Sequence, residues 1–292
     1  MGAKGISMKR DDCARLAAET LEILARGRYE APAGSLVIEL VDAIERCIRE
    51  TRFIPANGWR AIHRRADEAA ATVDAECRPI VEVTDETTLE ACRRLTLEAG
   101  AGSVLALNFA SAKNPGGGFL GGSRAQEESL ARSSALYGSL CTAQAYYDTN
   151  RHARDAYYTD CAIYSPAVPV FRADAGTLLD DPYEVTFVTC PAVNVSAIRQ
   201  KGMEPDPAKV EETMARRIRN VLALAAAEGH RDVVLGAWGC GVFGNDPAMI
   251  ARLFADALRE RLAGCFDHVV FAVYDTRPGQ PFVAAFREHL PG

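Results

Sequence analysis

From residue 80 to the end of the chain, short apolar runs alternate with longer amphipathic stretches, and this alternation restricts the fold more than any other feature. Residues 80–84 (IVEVT), 103–109 (SVLALNF), 161–164, 185–190, 232–237 and 268–274 read as strands. Helices are expected over 87–99, from about Ser123 and on through Gln144 to Asp148, and over 207–228, 247–263 and 280–289. Strands alternating with helices pack as a three-layer α/β sandwich around a mixed, partly parallel sheet. Residues 194–207 (NVSAIRQKGMEPDP) read as an exposed loop.

The first 78 residues read as all-helical. Over 11–28, Leu16, Leu21, Ile23 and Leu24 make an apolar stripe that Gly27 ends. A second helix is expected over 35–51, after Gly34 and a Ser35 cap, with Val37, Ile38, Val41, Ile44 and Ile48 on one side. A third stretch, 59–77, is rich in Ala and Arg. The expected division is a helical N-terminal extension over 1–78 and an α/β core over 79–292. The extension is expected to pack on the core as an appendage.

Composition excludes several function classes. With 48% hydrophobic and 25% charged residues, the 292-residue chain reads as an ordinary soluble enzyme. A net charge of −6 gives no broad basic surface for duplex nucleic acid. The nine cysteines form no CxxC pair and are odd in number, which fits reduced thiols in a cytoplasmic protein. Lys4, Lys9 and Arg10 are followed by Asp11 and Asp12, not by the apolar core of a signal peptide. No apolar run is long enough to span a membrane. His63, His152, His230, His268 and His289 stand far apart, so no metal site is expected.

Two loops carry the chemistry. The first, NPGGGFLGGSRAQEES from Asn114 to Ser129, lies between a strand and a helix. Gly116, Gly117 and Gly118 lack Cβ atoms, so their N–H groups can wrap an anion or a ribose. No GxxxxGK[ST] or GxGxxG pattern is present, so neither a Walker loop nor a Rossmann dinucleotide site is expected. A flexible surface loop would also fit the triple glycine alone. Ser123 and Gln126 have capping-box spacing, which puts Glu127 and Glu128 in the second helical turn. Adjacent helical residues point about 100° apart. The two carboxyls therefore cannot face each other across one bond; if one acts as the acid, the other orients the substrate. A helix N-terminus favours the ionised carboxylate, so a general acid here needs burial or a nearby phosphate.

The second loop, WGCGVFGND over 238–246, follows a strand, and Pro247 opens the next helix. It reads as a second strand-loop-helix anion site or as a tight turn. Phe243 could pack on a ribose or base. Two such loops after strands of one sheet can open on the same edge. Cys190 to Asn194 (CPAVN) reads as a turn that could line that edge. No cysteine has an adjacent His to activate it. Tyr146, Tyr147, Tyr157 and Tyr158 read as core, with an aromatic wall as the alternative.

The run NFASAKNPGGGFLGGSRAQEES resembles the signature of bacterial-type poly(ADP-ribose) glycohydrolases, in which GGG is followed after a spacer by QEE. VTDETTLEA, VTCPAVN and LGAWGCGVFGN extend the likeness through the core. The resemblance implies a macrodomain-like α/β/α fold that binds ADP-ribose and cleaves ribose–ribose bonds, mainly from the chain end, in the response to DNA damage. It implies Glu128 as the catalytic acid and Glu127 as the residue holding hydroxyls of the leaving ribose. Gly116 to Gly118 would press on the distal ribose and diphosphate, with Gln126 and Asn114 beside them. Gly239, Cys240, Gly241, Val242, Gly244 and Asn245 would form the diphosphate loop, with Phe243 at the distal ribose. Glu86 and the backbone at Thr87 would meet the adenine edge. The expected enzyme is a monomer that binds poly(ADP-ribose) or ADP-ribose and uses no cofactor. A non-catalytic ADP-ribose reader needs the loops but not the carboxyls; a hydrolase of an ADP-ribose ester or protein conjugate would share the pocket.

Overall fold

The computed structural model describes residues 8–34, 36–74, 76–98, 100, 102–153 and 155–290. Seven strands form one sheet. In spatial order they are β3 (Arg52–Ile54), β6 (Ala162–Arg172), β7 (Leu178–Cys190), β5 (Val104–Phe109), β8 (Asp232–Leu235), β9 (His268–Ala272) and β4 (Ile80–Thr84). A separate antiparallel pair joins β1 (Arg28–Glu30) to β2 (Val37–Glu39).

Alternation along the central strands builds the layers. Leu105 and Leu107 of β5 face one side, in a cluster with Val233, Leu235, Val269 and Phe271. Val104 and Ala106 face the other, with Val234, Val270 and Ala272. Strands buried on both faces must read as continuous apolar runs, which explains VVL in β8 and VVFA in β9. The first side is covered by α3 (Trp59–Ala70), α8 (Val195–Gln200), α9 (Pro207–Ala227), α10 (Pro247–Ala257) and α11 (Pro281–His289). The second is covered by α1 (Arg10–Arg26), α2 (Val41–Glu50), α4 (Thr88–Arg93), α5 (Gln126–Ser133), α6 (Leu136–Thr142) and α7 (Gln144–His152). The expected three-layer α/β/α fold is present. No helix among the described residues is long and apolar enough to cross a membrane.

The sheet topology positions the site. β7, β5, β8, β9 and β4 run parallel, so their C-terminal ends open on one edge. The loops after β5 and β8, which hold the two glycine clusters, therefore lie side by side, with the turns after β7 and β4 flanking them.

Several boundaries depart from expectation. The first 78 residues are not all-helical, since β1, β2 and β3 lie among the three helices. Val37 and Ile38, expected in a helix, pair with Glu30 and Tyr29. The expected Ser35 cap lies outside the described residues. β3 pairs antiparallel with β6, so this segment supplies the edge of the main sheet. Residues 195–200 form a helix where a loop was expected, because the Asn194 Oδ1 accepts the Ala197 N–H at 2.8 Å and caps it. β6 and β7 extend far beyond the expected 161–164 and 185–190, through register shifts between Ser165 and Val168 and between Val170 and Arg172.

At the opposite end of the strands, His230 is buried between the Tyr164 hydroxyl (2.8 Å) and Ser103 Oγ (3.0 Å). Burial pushes its pKa down. The unfolded chain therefore binds this proton first, and stability is lost as pH falls below about 6.5. Melting temperature should fall more steeply between pH 7 and 5.5 in the wild type than in His230→Gln. Thermal melts of both proteins across that range check the difference.

Candidate active site

Helix α5 begins at Gln126, not at Ser123. Its N-cap is Ala125, which makes no side-chain capping bond. The expected Ser123–Gln126 capping box is absent because the Gln126 side chain turns back to the sheet. Its Oε1 accepts the Phe109 N–H at 2.8 Å. Its Nε2 donates to the Leu107 carbonyl at 2.8 Å and to Thr88 Oγ1 at 3.1 Å. The register between β5 and β8 ends at Ala106 and Val234, and Gln126 occupies backbone groups just beyond it. Both polar ends of Gln126 are thereby used within the protein.

The later start moves Glu127 and Glu128 into the first helical turn. Glu127 is 3% exposed. Its Oε2 accepts the Ser111 N–H at 2.6 Å, and its Oε1 faces Asn108 Nδ2 at 3.4 Å. Burial raises its pKa from 4.5 to about 8, with a smaller upward push from the Glu128 charge; the Ser111 and Asn108 bonds oppose this. Desolvation here outweighs the favourable helix N-terminus. Glu128 is half-buried at the mouth of the first loop, where its Oε1 accepts the Gly118 N–H at 2.9 Å.

The glycines make this contact possible. Gly117 has φ +60°, and a Cβ there would stand 2.5 Å from Glu128 Oε1 and 3.0 Å from Glu127 Oε2. Only a residue without a side chain lets the backbone lie across both carboxyls. The loop closes on itself through Gly117 N–H to the Asn114 carbonyl at 3.0 Å. Asn114 is exposed, and its own N–H donates to Ser111 Oγ at 3.1 Å. Phe119, fully buried against Tyr137, anchors the far side.

The second loop arches from β8 toward the turn after β7. Gly239 has φ +75°, and a Cβ there would meet Ala192 and Asn245 at 2.5 Å. Asn245 is buried, and its Nδ2 donates to the Val193 carbonyl at 2.8 Å and the Gly239 carbonyl at 3.1 Å. Asn245 thus braces the loop through its side chain. The Phe243 carbonyl accepts the Ser196 N–H at 3.0 Å, and Gly244 packs on the Ser196 hydroxyl. Gly241 and Val242 are exposed, whereas the Cys240 thiol is buried with its pKa pushed up by burial. Asp246 caps α10 by accepting the Ala248 N–H at 3.0 Å, with Pro247 as the first helical residue.

On the far flank, Glu86 accepts from Arg94 Nη2 at 2.9 Å. Thr87 forms a capping box with Glu90, so its N–H is already taken by Glu90 Oε2 at 2.8 Å. Its hydroxyl donates to Asp174 at 2.5 Å. Tyr146 and Tyr147 are core residues, while Tyr157 and Tyr158 are half-buried beside the site. Asn108 and Ser111 escaped the sequence reading. A lone polar residue in the apolar run VLALNF is the signal that marks Asn108.

Glu127 gives a second pH dependence of opposite sign. The folded chain keeps this proton up to about pH 8, whereas the unfolded chain releases it near 4.5. The buried carboxyl therefore lowers stability progressively as pH rises through that window. Glu127→Gln should raise the melting temperature more at pH 8 than at pH 5, as read by calorimetry at both values.

The sequence profile of the microbial-type PARG catalytic domain matches residues 17–173. Poly(ADP-ribose) glycohydrolase (PARG) from Thermomonospora curvata is 47% identical over 96% of this chain and 100% of that chain, with a TM-score of 0.88. Its structure bound to the inhibitor ADP-HPD gives a TM-score of 0.86 at the same identity and coverage. The Deinococcus radiodurans enzyme in complex with ADP-ribose is 42% identical over 84% of this chain and 96% of that chain, with a TM-score of 0.77. No curated protein matches the chain. The layered mixed sheet is the macrodomain-like fold of these structures. With a family profile spanning more than half its length and this identity over nearly all of it, the chain belongs to the microbial-type poly(ADP-ribose) glycohydrolase family.

Proposed function

We propose that the protein is a glycoside hydrolase that cleaves ribose–ribose bonds of poly(ADP-ribose), mainly from the chain end, and releases ADP-ribose. The observation that carries this reading is the Glu128 carboxyl fixed on the Gly118 N–H at the mouth of the glycine loop. A reader of ADP-ribose would need the loops but no carboxyl held there. The ADP-ribose and ADP-HPD complexes of the related enzymes support the ligand class.

In this reading Glu128 gives its proton to the leaving ribose 2′ oxygen as the glycosidic bond breaks. Its carboxylate then takes a proton from water, which adds to the oxocarbenium-like carbon and restores the acid. Glu127, buried and protonated near neutral pH, holds hydroxyls of the leaving ribose. The backbone of Gly116, Gly117 and Gly118, with Asn114, lies along the distal ribose and diphosphate. The 239–245 loop surrounds the diphosphate with the exposed backbone of Gly241 and Val242, while the Cys240 and Gly244 N–H groups hold the loop's shape on the Ala237 and Gly241 carbonyls, and Phe243 flanks the distal ribose. Gln126 and Asn245 contribute by positioning. Glu86 takes the adenine edge; β4 lies three strand spacings from β5, about 14 Å, within reach of an extended nucleotide. Thr87 acts there through its fold-bracing cap. Residues 1–78 serve as an extension that completes the 79–292 core. The free thiols support a cytoplasmic location.

Glu128→Gln should keep ADP-ribose affinity while turnover of poly(ADP-ribose) falls by about 10²–10⁴-fold. Undiminished turnover would reject Glu128 as the acid, and a wild type that binds ADP-ribose without releasing it from polymer would be a reader. Gly117→Ala should cost about 1–2 kcal/mol of stability from its left-handed backbone. By displacing Glu128 it should also lower kcat on the order of 10²-fold, measured by steady-state release of ADP-ribose.

A further inference from the structure

Tyr158 has φ +59°, a left-handed conformation that an aromatic residue seldom adopts. Such a backbone persists only where the surroundings over-determine it, and these outliers concentrate at ligand clamps. The determinant here is Arg217 of α9, which is fully buried. Its Nη2 donates both to the Tyr157 carbonyl (2.7 Å) and to the Thr159 carbonyl (3.0 Å), the two residues flanking Tyr158. Its Nη1 reaches the Pro191 carbonyl in the turn after β7 at 2.9 Å, and its Nε pairs with Asp160 at 2.9 Å. Asn150 Oδ1 accepts from both the N–H (2.9 Å) and the hydroxyl (2.8 Å) of Thr159. The Asn194 N–H holds the Ala156 carbonyl at 2.9 Å.

All these bonds fix backbone or neighbours on either side of Tyr158, and the Tyr158 side chain is what the arrangement presents. Its ring is half-buried and lies 6.4 Å from that of Phe243, tilted by 44°. Two rings from separate loops thus meet at the edge where the glycine loops open. An aromatic face packs well against the C–H face of a sugar, so a ring pair suits a ribose.

We infer that Tyr158 forms, with Phe243, an aromatic wall that grips the terminal ribose of the polymer, and that Arg217 is the positioning residue that holds Tyr158 in its left-handed turn. This inference rests on the reading of the site as an ADP-ribose cleft. Only glycine could take the same backbone without penalty, so the chain accepts the strain in order to keep a ring there.

Tyr158→Gly separates the two roles, since it relieves the backbone and removes the ring. Its melting temperature should stay close to that of the wild type, because the relieved backbone offsets the lost ring contacts, while KM for poly(ADP-ribose) rises about tenfold with kcat nearly unchanged. Tyr158→Phe keeps the ring and should keep KM. Arg217→Lys should raise KM in the same way, and combining it with Tyr158→Gly should raise KM no further, because both act through one ring. An unchanged KM in Tyr158→Gly overturns the inference, whether or not Arg217→Lys folds. A wild type inert on polymer would instead defeat the hydrolase reading. Calorimetry of ADP-ribose on Tyr158→Gly would still test the wall, with about tenfold weaker binding expected and equal affinity overturning it.

Discussion

The Gln126 amide seats α5 on the end of β5, and the geometry of the candidate site depends on that contact. One side chain accepts the Phe109 N–H and donates to the Leu107 carbonyl, where the ladder to β8 has ended. Backbone groups buried without partners are costly, so the strand end and the helix start stabilise each other. The next two residues then have little freedom. Glu127 is driven under the loop into contact with Ser111 and Asn108, and Glu128 emerges against Gly118. The glycines respond to this seating, since Gly117 lies where any Cβ would strike both carboxyls.

Two neighbouring carboxyls on one helical turn meet different environments. The helix N-terminus acts on both, and it is worth at most about 2 kcal/mol. Complete burial of Glu127 costs more and raises its pKa to about 8. Glu128 stays half-buried and reaches the loop mouth. Sequence adjacency thus sets the pair at different depths, and depth assigns the division of labour proposed for them.

The sequence exposed the layers and both loops because these depend on local pattern. Apolar strands such as 103–109 announce a central sheet, and glycines at 116–118 and 239–244 announce close backbone approaches. It misplaced the start of α5 because S-x-x-Q spacing is a local signal, whereas the true start is set by Gln126 meeting a strand distant in sequence. Asn108 and Ser111 were missed for the same reason, as their partner Glu127 lies in another element. The length of β6 was hidden by Pro166 and Pro169, residues that argue against a strand and that the bulged register accommodates. The strain at Tyr158 has no local signal, since it comes from a guanidinium 59 residues further along the chain.

β3 also has a bearing on solubility. Arg52, Phe53 and Ile54 pair with the outer side of β6 at its first three residues, Ala162 to Tyr164. An uncovered strand edge is a template on which another chain can add. The small strand occupies that template where β6 enters the sheet, and Arg52 adds a cation over the Tyr164 ring and an ion pair to Glu228. Further along, the Ser134 bridge to Val170 occupies the same strand. The N-terminal segment therefore covers the start of β6, whose backbone groups would otherwise form an open strand edge.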